Sequence, residues 1–80
     1  MMTDKSAGEF RDIIRMANQI ADYFSAYPHD EAVHGVADHI TRFWDPRMRA
    51  HLRELIKSGG HGLSPLALEA SKTVGAAPAH

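Results

Sequence analysis

The sequence predicts an all-α protein, a small compact array of about four short helices, on the basis of three observations. Apolar residues recur three and four positions apart in several separate segments, as they do on the buried face of a helix. Proline and glycine interrupt this pattern at Pro28, at Pro46 and at Gly59 and Gly60. No segment shows the strict alternation of polar and apolar residues that is typical of a half-buried strand.

The chain has 80 residues, which is enough for one small domain. We assign a single helical domain to residues 9–74, where the periodic apolar residues lie. Residues 1–8 are expected to form a flexible N-terminus and residues 75–80 a disordered tail, because both ends lack that periodicity.

The first helix is predicted from about Glu9 to Ala26. Its apolar stripe consists of Phe10, Ile13, Ile14, Ala17, Ile20, Ala21 and Phe24. A flank of this stripe is widened by Met16, Tyr23 and Tyr27. Pro28 should stop the helix, because proline cannot donate a backbone hydrogen bond and restricts the residue before it.

The second helix is predicted from about Glu31 to Trp44, with Asp30 as its N-cap. Its apolar stripe consists of Val33, Val36, Ala37, Ile40 and Trp44. Gly35 lowers the helix propensity of this segment. It indicates either a close approach of another backbone or a tolerated surface position, and the sequence leaves both open.

The third and fourth helices begin at aspartate–proline and serine–proline pairs. Asp45 suits an N-cap and Pro46 the first helical position, so two helices should meet here in a sharp corner. Gly59 and Gly60 should end the third helix in a left-handed conformation. Ser64 and Pro65 then begin a shorter helix, which extends to about Val74.

Composition excludes several classes of function. The chain has no cysteine, so it cannot contain a disulfide or a cysteine-based zinc site. Its formal charge of −1 does not suggest a nucleic-acid binder. The polar start lacks the apolar core of a signal peptide, and no run approaches the length of a membrane span. We therefore expect a cytoplasmic protein with no membrane contact.

The sequence contains no pattern typical of a catalytic or metal-binding site. The six histidines include no pair four residues apart, and the nearest set, His34 with Asp38, has only two possible ligands. No serine lies in a nucleophile motif, and Ser64 is already expected to act as a cap. The glycine-rich run of residues 58–62 follows a helix rather than a strand, so it does not suggest a phosphate loop. We assign no catalytic, cofactor-binding or metal-binding residue.

The corner between the second and third helices is the candidate partner-binding region. Between Arg42 and Lys57 there are five basic and two acidic residues, a local charge of +3 in an acidic chain. Adjacent helical residues point about 100° apart, so Phe43 and Trp44 cannot face the same core, and one of them should face a partner. The candidate contact residues are Arg42, Phe43, Trp44, Asp45, Pro46, Arg47, Met48, Arg49 and Arg53. Charge alone leaves open a solvated face, an acidic protein surface and, less favoured, a nucleic acid.

Three segments resemble the delta subunits of NAD-dependent formate dehydrogenases. Residues 15–21 with Phe24 resemble the opening helix of that family. Residues 36–40 and 42–49 (the latter reading Arg-Phe-Trp-Asp-Pro-Arg-Met-Arg) resemble its central signature, and residues 59–66 resemble its closing turn and last helix. The likeness extends over about residues 13–74, and its most specific part is the run from Phe43 to Arg49.

The resemblance implies a non-catalytic accessory subunit that binds and stabilises the catalytic alpha subunit. The complex oxidises formate to carbon dioxide and reduces NAD. It is expected to hold molybdopterin with molybdenum or tungsten, iron–sulfur clusters, FMN and NAD in other subunits, and none of these in this chain. Two alternatives remain: a transient maturation chaperone for molybdenum-cofactor insertion and, less favoured, a small helical DNA-binding regulator. Self-association of the isolated chain also stays open.

Overall fold

The computed structural model describes the backbone of residues 4–75 and the side chains of residues 10–74. Four helices account for most of this range: α1 (Asp4–Phe24), α2 (His29–Phe43), α3 (Pro46–Lys57) and α4 (Pro65–Gly75). No strand occurs within residues 4–75. The predicted all-α array of four helices is confirmed. Of the tail predicted at residues 75–80, Gly75 belongs to α4 and residues 76–80 lie outside the described residues, as do residues 1–3 of the predicted flexible N-terminus.

The four helices enclose one core to which each of them contributes. α1 and α4 each pack against the other three helices. The buried side chains of this core cluster are Ile13, Ala17, Ala21, Val36, Ala37, Ile40, Trp44, Leu52, Leu55, Ala67, Ala70 and Val74. Many of them are small, and the α4 residues Ala67 and Ala70 are fully buried, which lets α4 lie close to its neighbours.

Two of the three predicted caps are confirmed. The Asp45 carboxylate accepts a hydrogen bond from the Met48 backbone amide at 2.8 Å, with Pro46 in the first helical position. Ser64 Oγ accepts a hydrogen bond from the Ala67 amide at 3.3 Å. Both caps satisfy amides that the helix itself leaves without a partner.

The third predicted cap, Asp30, is wrong. α2 begins at His29, and its N-cap is Pro28, which has an extended backbone (φ −55°, ψ 150°). No side-chain hydrogen bond caps this end of the helix. The Pro28 carbonyl accepts a hydrogen bond from the Ala32 amide at 2.8 Å and so closes the first turn. Asp30 and Glu31 lie inside that turn, where their charges favour the helix dipole.

α1 also differs from its predicted bounds of residues 9–26. It begins at Asp4, because apolar periodicity does not detect a polar first turn. It ends at Phe24, where the Tyr27 amide donates to the Phe24 carbonyl at 3.0 Å and forms a separate turn before Pro28.

The end of α3 confirms the predicted glycine stop. The Gly60 amide donates to the Leu55 carbonyl at 2.9 Å, and the Gly59 amide donates to the Ile56 carbonyl at 3.0 Å. These two bonds form a Schellman motif, which requires positive φ at Gly59 (114°).

Gly35 allows the ring of Phe24 to lie against α2, so the close neighbour is a side chain rather than a backbone. A Cβ atom at Gly35 would lie 2.5 Å from Phe24 Cε1 and 2.6 Å from Cδ1. Such a contact requires the ring to move. The position is therefore a site of close packing and not an open surface position.

We expect Gly35→Ala to lower the free energy of unfolding by about 1 kcal/mol, because displacement of the ring outweighs the gain in helix propensity. In a Phe24→Ala background the same change should raise stability by up to about 1 kcal/mol, since only the propensity term remains. Urea denaturation of the four proteins measures both effects. If the sign is the same in both backgrounds, the ring does not pack on Gly35.

Candidate partner-binding surface

The corner between α2 and α3 turns its two aromatic residues in opposite directions. Trp44 is 5% exposed and belongs to the core, whereas Phe43 is 71% exposed. The sequence required that the two differ but could not say which of them faces outward. Phe43 is the large apolar side chain that the corner presents to solvent.

The polar residues of the corner include two arginines with partners inside the chain. Arg42 Nε lies 3.2 Å from an Asp38 carboxylate oxygen, one helical turn away. Arg49 donates to the carbonyl of Thr41, in the last turn of α2, and to that of Trp44, the C-cap of α2. Arg49 therefore ties the start of α3 to the end of α2, a structural use that the sequence did not predict.

The other predicted arginines lie on different sides of α3. Arg47 borders a small groove between α1 and α3, about 230 Å³ in volume, which also contains Met16, Met48 and His51. Arg53 lies in a separate groove beside α4. The basic residues of this stretch thus do not form one continuous face, and Arg47 is the one that stays next to the corner.

Phe43 forms one wall of an open groove between α1 and α2, which we call the aromatic groove. Its volume is about 540 Å³, and its lining residues are Gln19, Ile20, Tyr23, Phe24, His39 and Phe43. Tyr23 is 69% exposed. The rings of His39 and Phe43 lie 4.7 Å apart, and those of Tyr23 and Phe24 meet edge to face at 5.0 Å. Among the described side chains, no aspartate, glutamate, lysine or arginine lines this groove.

Sequence reasoning missed most of the aromatic groove. Only Phe43 was among the predicted contact residues. Tyr23 widens the apolar stripe of α1 in the sequence, and this extra width indicates that α1 presents apolar surface beyond what the core uses. His39 carried no signal, because its place beside Phe43 depends on the position of α2.

Metal sites and membrane spans each have a characteristic pattern of residues, with which the described residues can be compared. Within the part of the chain that the structure describes, no three histidine, aspartate or glutamate side chains come together as a possible metal site. None of the helices within residues 4–75 combines the length and the apolarity that crossing a bilayer requires.

The described residues thus form a small array of four helices with an apolar groove next to the corner between α2 and α3. The sequence model of one family, described as NADH-dependent formate dehydrogenase delta subunit FdsD, matches residues 12–71. The chain belongs to this family, which confirms the predicted resemblance. Comparison with curated proteins and with solved structures finds no significant match in either set.

Proposed function

We propose that this chain is a non-catalytic accessory subunit of a cytoplasmic NAD-dependent formate dehydrogenase, and that it binds and stabilises the catalytic alpha subunit through the surface around Phe43. The observation that carries the proposal is the exposure of Phe43 beside the aromatic groove, in a chain that belongs to a family of enzyme subunits. On this proposal the molybdopterin, iron–sulfur, flavin and NAD sites lie in other subunits.

The energetics of burial support Phe43 as the central contact. Complete removal of a phenylalanine side chain from water contributes about 1.5–3 kcal/mol of favourable free energy. Because Phe43 is largely exposed in the chain, most of this free energy is available for binding. Tyr23 adds a second exposed ring on the opposite wall of the groove. Aromatic side chains are enriched at the residues that dominate protein–protein affinity. An apolar side chain of the alpha subunit inserted between these rings would bury both.

The rim of the proposed contact is polar, as interfaces commonly are. Arg47 borders the neighbouring groove, and Arg42 lies one residue before Phe43 with its charge shared with Asp38. Asp45, Pro46 and Arg49 hold the corner together, so their proposed role in binding is to position Phe43 and Arg47. Trp44 supports the corner from inside the core.

The test compares Phe43→Ala with Tyr27→Ala in binding to the catalytic complex. We expect Phe43→Ala to weaken binding about 30-fold or more, as for a residue at the centre of an interface. Tyr27→Ala removes a ring of similar size from outside the groove lining, so its affinity should stay within about threefold of the wild type. Co-purification and surface plasmon resonance measure both. If Phe43→Ala binds within about threefold of the wild type, the groove is not the contact.

A maturation chaperone would use the same surface but would leave the enzyme after cofactor insertion. The stoichiometry of the purified, active complex separates the two functions. One copy per alpha subunit supports the accessory subunit, and its absence from an enzyme that needs it for maturation supports the chaperone.

A DNA-binding regulator is the third alternative, because the corner joins two helices through a short turn. This function requires salt-dependent binding to duplex DNA near physiological ionic strength. Failure to bind under these conditions removes it.

A further inference from the structure

The groove that contains Arg53, between α3 and α4, is lined by three basic side chains. Its lining residues are Arg53, Ile56, Lys57 and Lys72, and its volume is about 220 Å³. No aspartate or glutamate among the side chains of residues 10–74 lines it, although the whole chain has a formal charge of −1. We call these three cations with Ile56 the basic groove.

The described acidic side chains nearby form no ion pair with the basic residues of this groove. Glu69, three residues before Lys72, directs its carboxylate toward His29, with Oε1 2.9 Å from Nε2. Glu54 is exposed and lies outside the lining of the groove. Among the side chains of residues 10–74, no ion pair involves Arg53, Lys57 or Lys72.

The helix dipole explains why basic residues occur at positions 57 and 72, but it does not explain the basic residue Arg53. Lys57 and Lys72 lie in the last turns of their helices, where a positive charge favours the dipole by a few tenths of a kcal/mol. Arg53 lies in the middle of α3, one turn after Arg49 and one turn before Lys57, so it faces like charges on both sides. At Arg49 the repulsion between like charges is offset by hydrogen bonds to the carbonyls of Thr41 and Trp44. Within the described side chains, Arg53 has no intramolecular hydrogen bond that could offset it.

We propose that the basic groove is a second docking site, which binds an acidic segment of a protein partner. Carboxylates of that segment pair with Arg53, Lys57 and Lys72, and one apolar side chain between them covers Ile56. The proposal rests on the proposed function, because the partner is taken to belong to the formate dehydrogenase complex. It goes beyond that function, because the basic groove lies between α3 and α4 whereas the aromatic groove lies between α1 and α2.

The chemistry of the groove favours a protein over a nucleic acid. Three cations around a half-buried isoleucine match a small contact with an apolar centre and a charged rim. A nucleic-acid site usually pairs many more cations with phosphates along a backbone, and this chain carries a net negative charge.

The experiment measures the affinity of full-length chain for the catalytic complex at low and high salt. The test variant is Arg53→Glu combined with Lys57→Glu, and the matched control is Arg11→Glu combined with Arg15→Glu, two exposed arginines on α1. We expect the test variant to lose at least tenfold in affinity at low salt, and the loss should shrink at high salt because screening weakens charge pairs. The control should stay within about threefold of the wild type.

Stability and a neutral variant keep the result interpretable. Thermal unfolding of both double variants shows whether they are folded. Arg53→Gln combined with Lys57→Gln removes the charges without reversal and should give an intermediate loss of affinity.

The outcomes separate the basic groove from the proposed function. Suppose that wild type and control bind and that Phe43→Ala weakens binding. If the two groove variants then bind like the wild type, the basic groove is not a docking site and the proposed function stands. If the wild type does not bind at all, the proposed function itself fails. Tighter binding to duplex DNA than to the complex would also overturn the assignment of a protein partner.

Discussion

Trp44→Ala is expected to lower the free energy of unfolding of the isolated chain by about 3–5 kcal/mol. Removal of a buried tryptophan loses its transfer free energy and leaves a cavity that neighbouring side chains fill only in part. Small domains are stable by about 5–15 kcal/mol in total, so the change would remove a large share of this stability. Urea denaturation followed by far-UV circular dichroism measures the effect.

Phe43→Ala is the matched control, because Phe43 is adjacent in sequence and is also aromatic. It is largely exposed, so its removal should change the stability by less than about 1 kcal/mol, as is usual for surface positions. If both substitutions destabilise the chain equally, the corner is packed differently in solution. The contrast also decides how binding is tested, because a loss of binding in Trp44→Ala would report unfolding, whereas a loss in Phe43→Ala would report the surface.

Asn18→Ala should lower the free energy of unfolding by about 2 kcal/mol. Asn18 Nδ2 donates to the Gly62 carbonyl at 2.9 Å, and Asn18 Oδ1 accepts from the Ser64 amide at 2.8 Å. One side chain on α1 thus holds both ends of the turn that leads into α4. A hydrogen bond contributes about 1 kcal/mol on average, and the substitution removes two. Thermal and urea denaturation measure the loss.

Two further variants separate the hydrogen bonds from general effects of substitution on α1. Gln19→Ala changes the exposed neighbour of Asn18 and should be neutral to within about 0.5 kcal/mol. Asn18→Asp keeps the acceptor for the Ser64 amide but loses the donor to Gly62, so an intermediate stability is expected. A neutral result for Asn18→Ala would mean that water replaces the amide at this turn.

Local signals allowed most of the fold to be predicted from the sequence. The N-caps Asp45 and Ser64 and the stop at Gly59 depend on residues within a few positions of one another, so their patterns are complete in the sequence. The error at Asp30 has the same cause, because Asp30 and Pro28 are both compatible with a helix start and the sequence does not rank them. The Asn18 link joins residues more than 40 positions apart, and no local pattern encodes it.

The surface was less predictable than the helices, because it depends on how the helices are arranged. The sequence placed Arg42, Arg47, Arg49 and Arg53 in one basic stretch. In the structure, Arg42 forms an ion pair with Asp38, and Arg49 donates to backbone carbonyls. Arg47 borders the groove between α1 and α3, and Arg53 lies in the separate groove beside α4. Likewise, the choice between Phe43 and Trp44 depends on where α1 and α4 pack, which periodicity within α2 does not specify.

The hydrogen bonds from Arg49 to the carbonyls of Thr41 and Trp44 should affect how this chain binds a partner. Together with the Asp45 cap, they hold the backbone on either side of Phe43 before any partner arrives. The conformational entropy of the corner is therefore lost when the chain folds and not when it binds. A preorganised corner of this kind should gain affinity mainly through slow dissociation, and loosening it at Arg49 should shorten the lifetime of a complex even though Phe43 is unchanged.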